Sequence, residues 1–390
     1  MNPVPTASAG LRRELADRLR STGAVKSDQW YEAFAAVPRE AFVRAFAVGT
    51  QHGPVHLTPE DPRRLSTVYS DDSLLTRFDA AGVPTSSSTL PTLMALMLEA
   101  LDVADGNRVL EVATGTGCNA ALLSHRVGDG NVTTIEVDPE LARAAERRLA
   151  RAGYRPTVLA GDGRAGHPDG GPYDRLIATC GFTGIPPAWL EQMTPGGIIV
   201  CPVGGGVVRL VVQKDGTAAG AFLPDAAFFM PVRGIGENGT TPVPPPLPDN
   251  CSSRPCYVEP ADLLDDGIHF LLNLAVPRAM TRFIHDAAGE VAAVNMWQPD
   301  GAWAELRHGI ARQAGPRRIL DAVETAIIAY EAAGRPRRER YRLRVDAGRQ
   351  WVSVADSDGP TWELGRPHGR PLGRGLPAER PAAAAVTGGR

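Results

Sequence analysis

The chain has 390 residues, 43% of them hydrophobic, and a formal net charge of −3. That length supports one large domain plus a smaller one, and the near-neutral charge gives no general case for binding nucleic acid or a membrane surface. No stretch reaches the roughly 18 apolar residues of a membrane span, and Met1 to Gly10 lacks a basic region followed by an apolar core, so neither a span nor a signal peptide is expected.

Residues 11–48 read as helical, with Leu11, Leu15 and Leu19 on one face and Trp30, Phe34 and Val37 on a second short helix. Residues 50–66 are rich in Pro, Asp and His and read as loop. Val68–Thr76 reads as a short strand and turn, and Gly82–Thr92 as a hydroxyl-rich loop. Leu90, Leu93, Met94, Met97, Leu98 and Leu101 then repeat at three and four, which predicts an amphipathic helix. From 107 to 213 strands alternate with helices: strand 108–112, helix 118–126, strand 132–137, helix 139–151, strand 157–160, strand 173–179, short helix 187–193, strand 196–202 and strand 207–213. This order predicts an α/β fold around a parallel, doubly wound sheet. Beyond a Pro-rich run at 242–248, the stretches 268–276, 280–285, 291–297 and 303–306 read as strands, 316–333 as a helix, and 341–345 with 351–354 as a hairpin. The expected organisation is an N-terminal segment 1–80, a cofactor domain 81–235, a linker 236–260, an α+β region 261–365 and a disordered tail 366–390.

The five cysteines are scattered and odd in number, which fits a reducing cytoplasm. The close pair Cys251 and Cys256 has no neighbouring histidine, so no metal site is expected.

The chemistry centres on Val109–Asn119, a buried strand entering a glycine-rich turn and a helix. Gly115-x-Gly117-x-x-Ala120 fits a dinucleotide fingerprint, with Glu136 about 20 residues on to hold ribose hydroxyls. The turn alone is compatible with an NAD enzyme, or with a bare strand-to-helix turn. Three features favour S-adenosylmethionine. Glu111, inside the strand, can face a sulfonium and an amino group but would oppose a pyrophosphate. Asp162, in Gly-Asp-Gly163 after the third strand, is placed to accept from an adenine amino group. The loop also carries no Arg or Lys to meet phosphates. Ala113, Thr114, Asn119, Val137 and Thr179 complete the expected cofactor contacts.

Several blocks resemble those of protein L-isoaspartate O-methyltransferases. They are Val37-Pro-Arg-Glu-Ala-Phe-Val43, Val109-Leu-Glu-Val-Ala-Thr-Gly-Thr-Gly117, Thr134-Ile-Glu-Val137, Gly161-Asp-Gly-Arg164, Pro172-Tyr-Asp-Arg-Leu-Ile-Ala178 and Gln192–Gly204. Their order and spacing carry the resemblance, over roughly 30–213. It implies a Rossmann-like class I S-adenosylmethionine-dependent methyltransferase sheet with N-terminal helices and a C-terminal α+β extension. It also implies methyl transfer to a carboxylate. The family's Gln-Thr-Ile-Ser-x-Pro loop is Ser86-Ser-Ser-Thr-Leu-Pro91 here, so Thr89 falls on the family's functional serine while Gln-Thr-Ile has become Ser-Ser-Ser. By this resemblance Thr89 and Ser88 serve catalysis, and Val83, Thr85, Ser86 and Ser87 hold the substrate. Thr89 could equally cap the following helix.

The region from about 225 onward is expected to be absent from the repair enzyme. Asp300-Gly-Ala-Trp303, Arg312–Arg318 and Gly334-Arg-Pro336 resemble extended methyltransferases of actinobacterial lanthipeptide and graspetide gene clusters. Those relatives methylate one aspartate of a cyclised ribosomal peptide, giving an aspartimide that can open to isoaspartate. A modified precursor peptide is therefore the expected partner, with repair of damaged proteins as the alternative. Trp297, Trp303, Trp351 and Trp362 could contact a peptide or simply fill the core. Arg335, Arg337, Arg338 and Arg340 could meet acidic residues or form a solvated loop. The sequence does not fix an oligomeric state.

Overall fold

The computed structural model describes residues 6–50, 53–234, 250–346, 348–355 and 361–364. The expected tail at 366–390 lies outside them, as does most of the proline-rich linker. The chain opens with α1 (Thr6–Ser21), α2 (Asp28–Ala36) and the short α3 (Arg39–Phe42). Ser27 caps α2 through its side chain, and Pro38 stands just before α3, where a missing N–H does no harm.

The stretch expected as loop pairs instead. β1 (Phe46–Thr50) and β2 (Gly53–Leu57) form an antiparallel hairpin. The stretch expected as a strand from Val68 is the end of α4 (Arg64–Val68), with β3 (Leu74–Phe78) after it. The hydroxyl-rich segment is a strand, β4 (Pro84–Ser88), and these four strands make a small sheet in the order β2-β1-β3-β4. These corrections share a cause: the strands are short and mostly half-exposed, so their apolar alternation is faint.

The predicted amphipathic helix is α5 (Pro91–Leu101), with Pro91 in its first turn. Then come β5 (Val109–Val112), α6 (Cys118–Val127), β6 (Val132–Glu136), α7 (Pro139–Ala152), β7 (Thr157–Ala160), β8 (Tyr173–Ala178), α8 (Pro187–Leu190), β9 (Met193–Val203), β10 (Gly206–Val212) and β11 (Ala218–Ala226). Asp138 caps α7 through its carboxylate, as its position before Pro139 predicts.

β12 (Ser252–Pro255) precedes α9 (Asp266–Ala275), β13 (Met280–His285), β14 (Val291–Trp297), β15 (Trp303–Arg307), β16 (Ile310–Ala314) and α10 (Ile319–Ala332). The chain closes with β17 (Tyr341–Val345), β18 (Gln350–Val354) and β19 (Thr361–Glu363). Residues 268–276, expected as a strand, are helix α9. Its apolar run Ile268–Ala275 is broken only by His269 and Asn273, and so shows no clear period.

Ten strands form one sheet in the order β19-β18-β17-β11-β10-β9-β8-β5-β6-β7. β7, β6, β5, β8 and β9 run parallel, as the α/β alternation predicts, and the strands from β10 outward pair antiparallel. Five others, β12-β16-β15-β14-β13, form a separate antiparallel sheet. The C-terminal region thus divides between two sheets, because β17 pairs with β11 and extends the central one. Trp297, Trp303 and Trp362 are buried in this region, which supports the core reading of those side chains. Arg338 is buried against Asp266, and Arg335, just past α10, pairs with Glu331 near the end of that helix. From β5 the chain crosses to β6 on one side and later to β8 on the other. The crevice at the carboxyl end of β5 is therefore a topological switch point, where α/β sheets bind ligands.

Candidate active site

A cavity of about 470 Å³ opens at that switch point. Its floor is the glycine turn. Gly115 has φ +55° and Gly117 φ +89°, values that a side chain would strain. A Cβ on Gly115 would lie 3.6 Å from the Ser87 carbonyl and 3.8 Å from Ser86 Oγ, so β4 passes directly over the turn. Gly117 serves packing instead: a Cβ there would come within 3.3 Å of Ala145 and Leu149 on α7. Ala113 also has a left-handed φ of +74°, a strained value for alanine. Hydrogen bonds fix it, from its N–H to the Ile135 carbonyl and from Thr179 Oγ1 to its own carbonyl at 2.7 Å.

Two carboxylates stand at the strand ends. Glu111 is fully buried and accepts from Asn119 Nδ2 at 2.7 Å and from Thr134 Oγ1 at 2.6 Å. Burial pushes its carboxyl up to about 7, against the lowering effect of those two bonds. Asn119 Oδ1 is buried without a partner among the described residues. Glu136 accepts from the N–H groups of Gly115 and Asp138, and burial raises its pKa too. A desolvated carboxylate and an unsatisfied amide oxygen call for a ligand that brings positive charge and hydrogen-bond donors. Burial pushes the Cys118 thiol up to about 12 and raises that of Cys180 too, which disfavours the reactive thiolate on this wall. Among the described residues no cluster could hold a metal ion, and no helix is long and apolar enough to cross a membrane.

Of the residues expected from the sequence, Thr85, Ser86, Ser87, Ser88, Thr89, Glu111, Ala113, Thr114, Gly115, Asn119, Glu136, Val137, Gly163 and Thr179 share this cavity. Val83, Gly117 and Asp162 are not on its wall. The Asp162 carboxylate is taken up by its own neighbour, accepting from the Arg164 backbone N–H and pairing with the Arg164 guanidinium at 2.7 Å. Thr89 lies before α5 without capping it through its side chain; the cap position is Leu90.

Two arginines complete the site. Arg39, quoted above only as part of the Val-Pro-Arg block, is buried and lines the cavity. Its guanidinium donates to the carbonyls of Val68, Ser70, Asp72, Ser88 and Thr89 and to Ser88 Oγ. It thereby fixes the end of β4 where Ser88 and Thr89 meet the cavity. A single arginine among Val37, Phe42 and Val43, all buried, was the available signal. Arg233 donates to the Thr85 carbonyl at 2.8 Å from the segment that follows β11. Nothing in the sequence pattern marks that segment as a cavity wall.

The family profile described as protein-L-isoaspartate(D-aspartate) O-methyltransferase matches residues 11–232. A protein-L-isoaspartate O-methyltransferase of Ignicoccus hospitalis is 40% identical over 194 residues, 49% of this chain and 81% of that protein. One of Staphylothermus marinus is 36% identical over 239 residues, 58% of this chain and 95% of that protein. A solved protein-L-isoaspartate O-methyltransferase superposes with a TM-score of 0.53 at 24% identity, covering 88% of this chain and 99% of that one. The fold likeness to that structure therefore runs beyond residue 232, so the extension is shared in fold by this family member, while the two relatives above are matched over most of their length by about half of this chain. S-adenosylmethionine fits the residues present. Glu111 and Asn119 Oδ1 suit its cationic, donor-bearing end, and Glu136 at the end of β6 keeps acceptor capacity for ribose hydroxyls. The chain belongs to the protein-L-isoaspartate O-methyltransferase family and is an S-adenosylmethionine-dependent carboxyl methyltransferase.

Proposed function

We propose that the carboxylate methylated by this enzyme belongs to one chosen aspartate of a ribosomally made, cyclised peptide, and that the ester then closes to an aspartimide. The observation that carries the reading is β4, whose Ser86, Ser87 and Ser88 line the cavity where the resemblance places Gln-Thr-Ile. Three small hydroxyl side chains leave more room over the methyl site than Gln, Thr and Ile would. They also offer rotatable donors to a backbone held in a ring. The extension does not separate this reading from repair, since it recurs in fold in a solved family member.

S-adenosylmethionine supplies an electrophilic methyl group. An aspartate is already ionised at neutral pH, so no side chain need act as a strong base. The task is to align the carboxylate and exclude water. Thr89 and Ser87 are half-exposed to the cavity and can donate to the carboxylate and the adjoining amide. Ser88 is buried and accepts from Arg39 Nε, which leaves its own proton to donate. Arg39 has no carboxylate within ion-pair distance among the described residues, so its charge favours an anionic substrate over a neutral ester product. Leu75, Met94 and Phe229 make the surrounding wall apolar. Once the ester forms, the next residue's amide nitrogen attacks its carbonyl. A C–N bond forms, the C–O bond breaks, and methanol leaves with the amide proton.

The test is mass spectrometry of three peptides with enzyme and S-adenosylmethionine: a cyclised precursor encoded beside the gene, its linear form, and an unrelated isoaspartyl peptide. The expected result is methyl gain followed by methanol loss on the cyclised form. Methylation of the isoaspartyl peptide alone overturns the proposal in favour of repair.

A further inference from the structure

Among the described residues, six large apolar side chains are exposed, and Phe228 is the most exposed at 66%. It is also the one of the six that lines the cavity. An exposed aromatic ring on the rim of a binding cavity is unusual unless something covers it.

Its setting is built. Phe228 lies just after β11, in a segment tied down on both sides. The Ala227 N–H donates to the Gly205 carbonyl, the Gly181 N–H donates to the Met230 carbonyl, and the Val232 N–H donates back to the Gly181 carbonyl. One side of the ring rests on the β9–β10 turn, where a Cβ on Gly205 would lie 3.4 Å from Phe228 Cε1. It makes a T-shaped contact with His269 of α9, with ring centroids 5.2 Å apart. The Asn273 amide lies beside Gly205, one turn further along α9, and donates to the His269 carbonyl at 2.9 Å. The ring is therefore held by elements of both the methyltransferase sheet and the extension, yet it stays largely exposed where it lines the cavity.

We propose that Phe228, steadied by His269, is a specificity-determining platform that takes an apolar or aromatic side chain next to the methylated residue of the substrate peptide. The occupant follows from continuity: the platform adjoins the cavity in which a peptide carboxylate must sit. An apolar side chain laid on this ring buries surface that the free protein leaves in water. A polar neighbour gains little there. This inference rests on the reading that a peptide carboxylate is the substrate, but not on whether that peptide is cyclised or damaged.

The experiment uses the full chain and the peptide that the wild-type enzyme turns over best. A series places leucine, phenylalanine or serine on either side of the methylated residue, and kcat/KM is measured for each. The expected preference for leucine or phenylalanine over serine is about tenfold, the usual discrimination by one apolar contact. Phe228→Ala brings that ratio close to one, Phe228→Leu restores part of it, and His269→Ala reduces it by loosening the ring. S-adenosylhomocysteine affinity, measured in parallel, shows that the variants are folded. A ratio that survives in Phe228→Ala overturns the proposal. So does a concentration-dependent dimer that Phe228→Ala abolishes while the ratio stays put, since the ring is then covered by a second copy. Failure of wild type to methylate any peptide overturns the underlying reading instead.

Discussion

Glu111→Gln isolates the charge at the centre of the cofactor site. In the folded protein burial moves the Glu111 carboxyl from 4.5 up to about 7, with a smaller raising effect from Glu136. An acid whose pKa is raised by folding binds its proton more tightly in the native state, so stability falls as pH rises. The cost is absent below about pH 4.5, grows between 4.5 and 7, and is complete above 7. At about 1.4 kcal/mol per pH unit, that displacement amounts to about 3 kcal/mol. Glutamine keeps the shape and removes the charge. Thr134 Oγ1 can still donate to it, and the Asn119 amide can turn so that its unpartnered Oδ1 accepts from the new amide. In urea denaturation without cofactor, the variant should match the parent near pH 4.5 and exceed it by up to about 3 kcal/mol at about pH 8. With S-adenosylmethionine the order reverses, because the ligand's positive charge stabilises the parent's carboxylate alone. The parent should also release about half a proton on binding at neutral pH, read by calorimetry in buffers of different ionisation heat. Stability curves that stay parallel from pH 5 to 8, or an unchanged cofactor affinity, would refute the reasoning.

Thr89→Val removes a donor while keeping the shape, so S-adenosylhomocysteine binding should persist while the methylation rate falls about a hundredfold; unchanged turnover removes Thr89 from the mechanism. Arg39→Gln strips donors from five carbonyls and Ser88 Oγ, and should cost about 3 kcal/mol in denaturant unfolding, with a higher KM for the anionic substrate. Gly117→Ala forces φ +89° on an alanine whose Cβ crowds Ala145 and Leu149, and should lower stability by about 2 kcal/mol. A loss below a few tenths would mean that α6 and α7 shift apart without strain.

The parallel half of the sheet was legible because short β-branched and apolar strands alternate there with helical stretches and end at turns, as in Val109–Val112, which is buried throughout even though it carries Glu111. The small N-terminal sheet was not. In β2 only Leu57 is buried, so no alternation marks the strand, and β4 owes its place to pairing with β3 rather than to its serines. Helix α9 was misread because its buried positions are nearly consecutive. At the site, Glu111 and Glu136 announced themselves as acids next to a glycine turn. Asp162 carried the same signal, yet Arg164, two residues away, already engages it. Arg39 was visible as a residue but not as the anchor of β4, because its partners are backbone carbonyls spread from Val68 to Thr89, and no sequence pattern records where a carbonyl points.

Two contacts join the extension to the segments beside the cavity. Gln350 of β18 holds Ile185 from both sides, accepting from its N–H at 2.7 Å and donating to its carbonyl at 2.6 Å. His269 of α9 holds Phe228. Ile185 shares the loop after β8 with Gly181, and Phe228 follows β11, so the two contacts hold both partners of the pairing between Gly181 and the segment carrying Met230 and Val232. Among the described residues, no side chain from β12 onward lines the cavity itself. The relatives from Ignicoccus and Staphylothermus are matched over 81% and 95% of their own length by about half of this chain. Carboxyl methylation in this family therefore does not demand the extension, and the acids and hydroxyls of the site all precede it in sequence. We propose that the extension, through these contacts, steadies one wall of the cavity. On that proposal the extension acts in substrate choice, and variants at Gln350 and His269 should move KM before kcat.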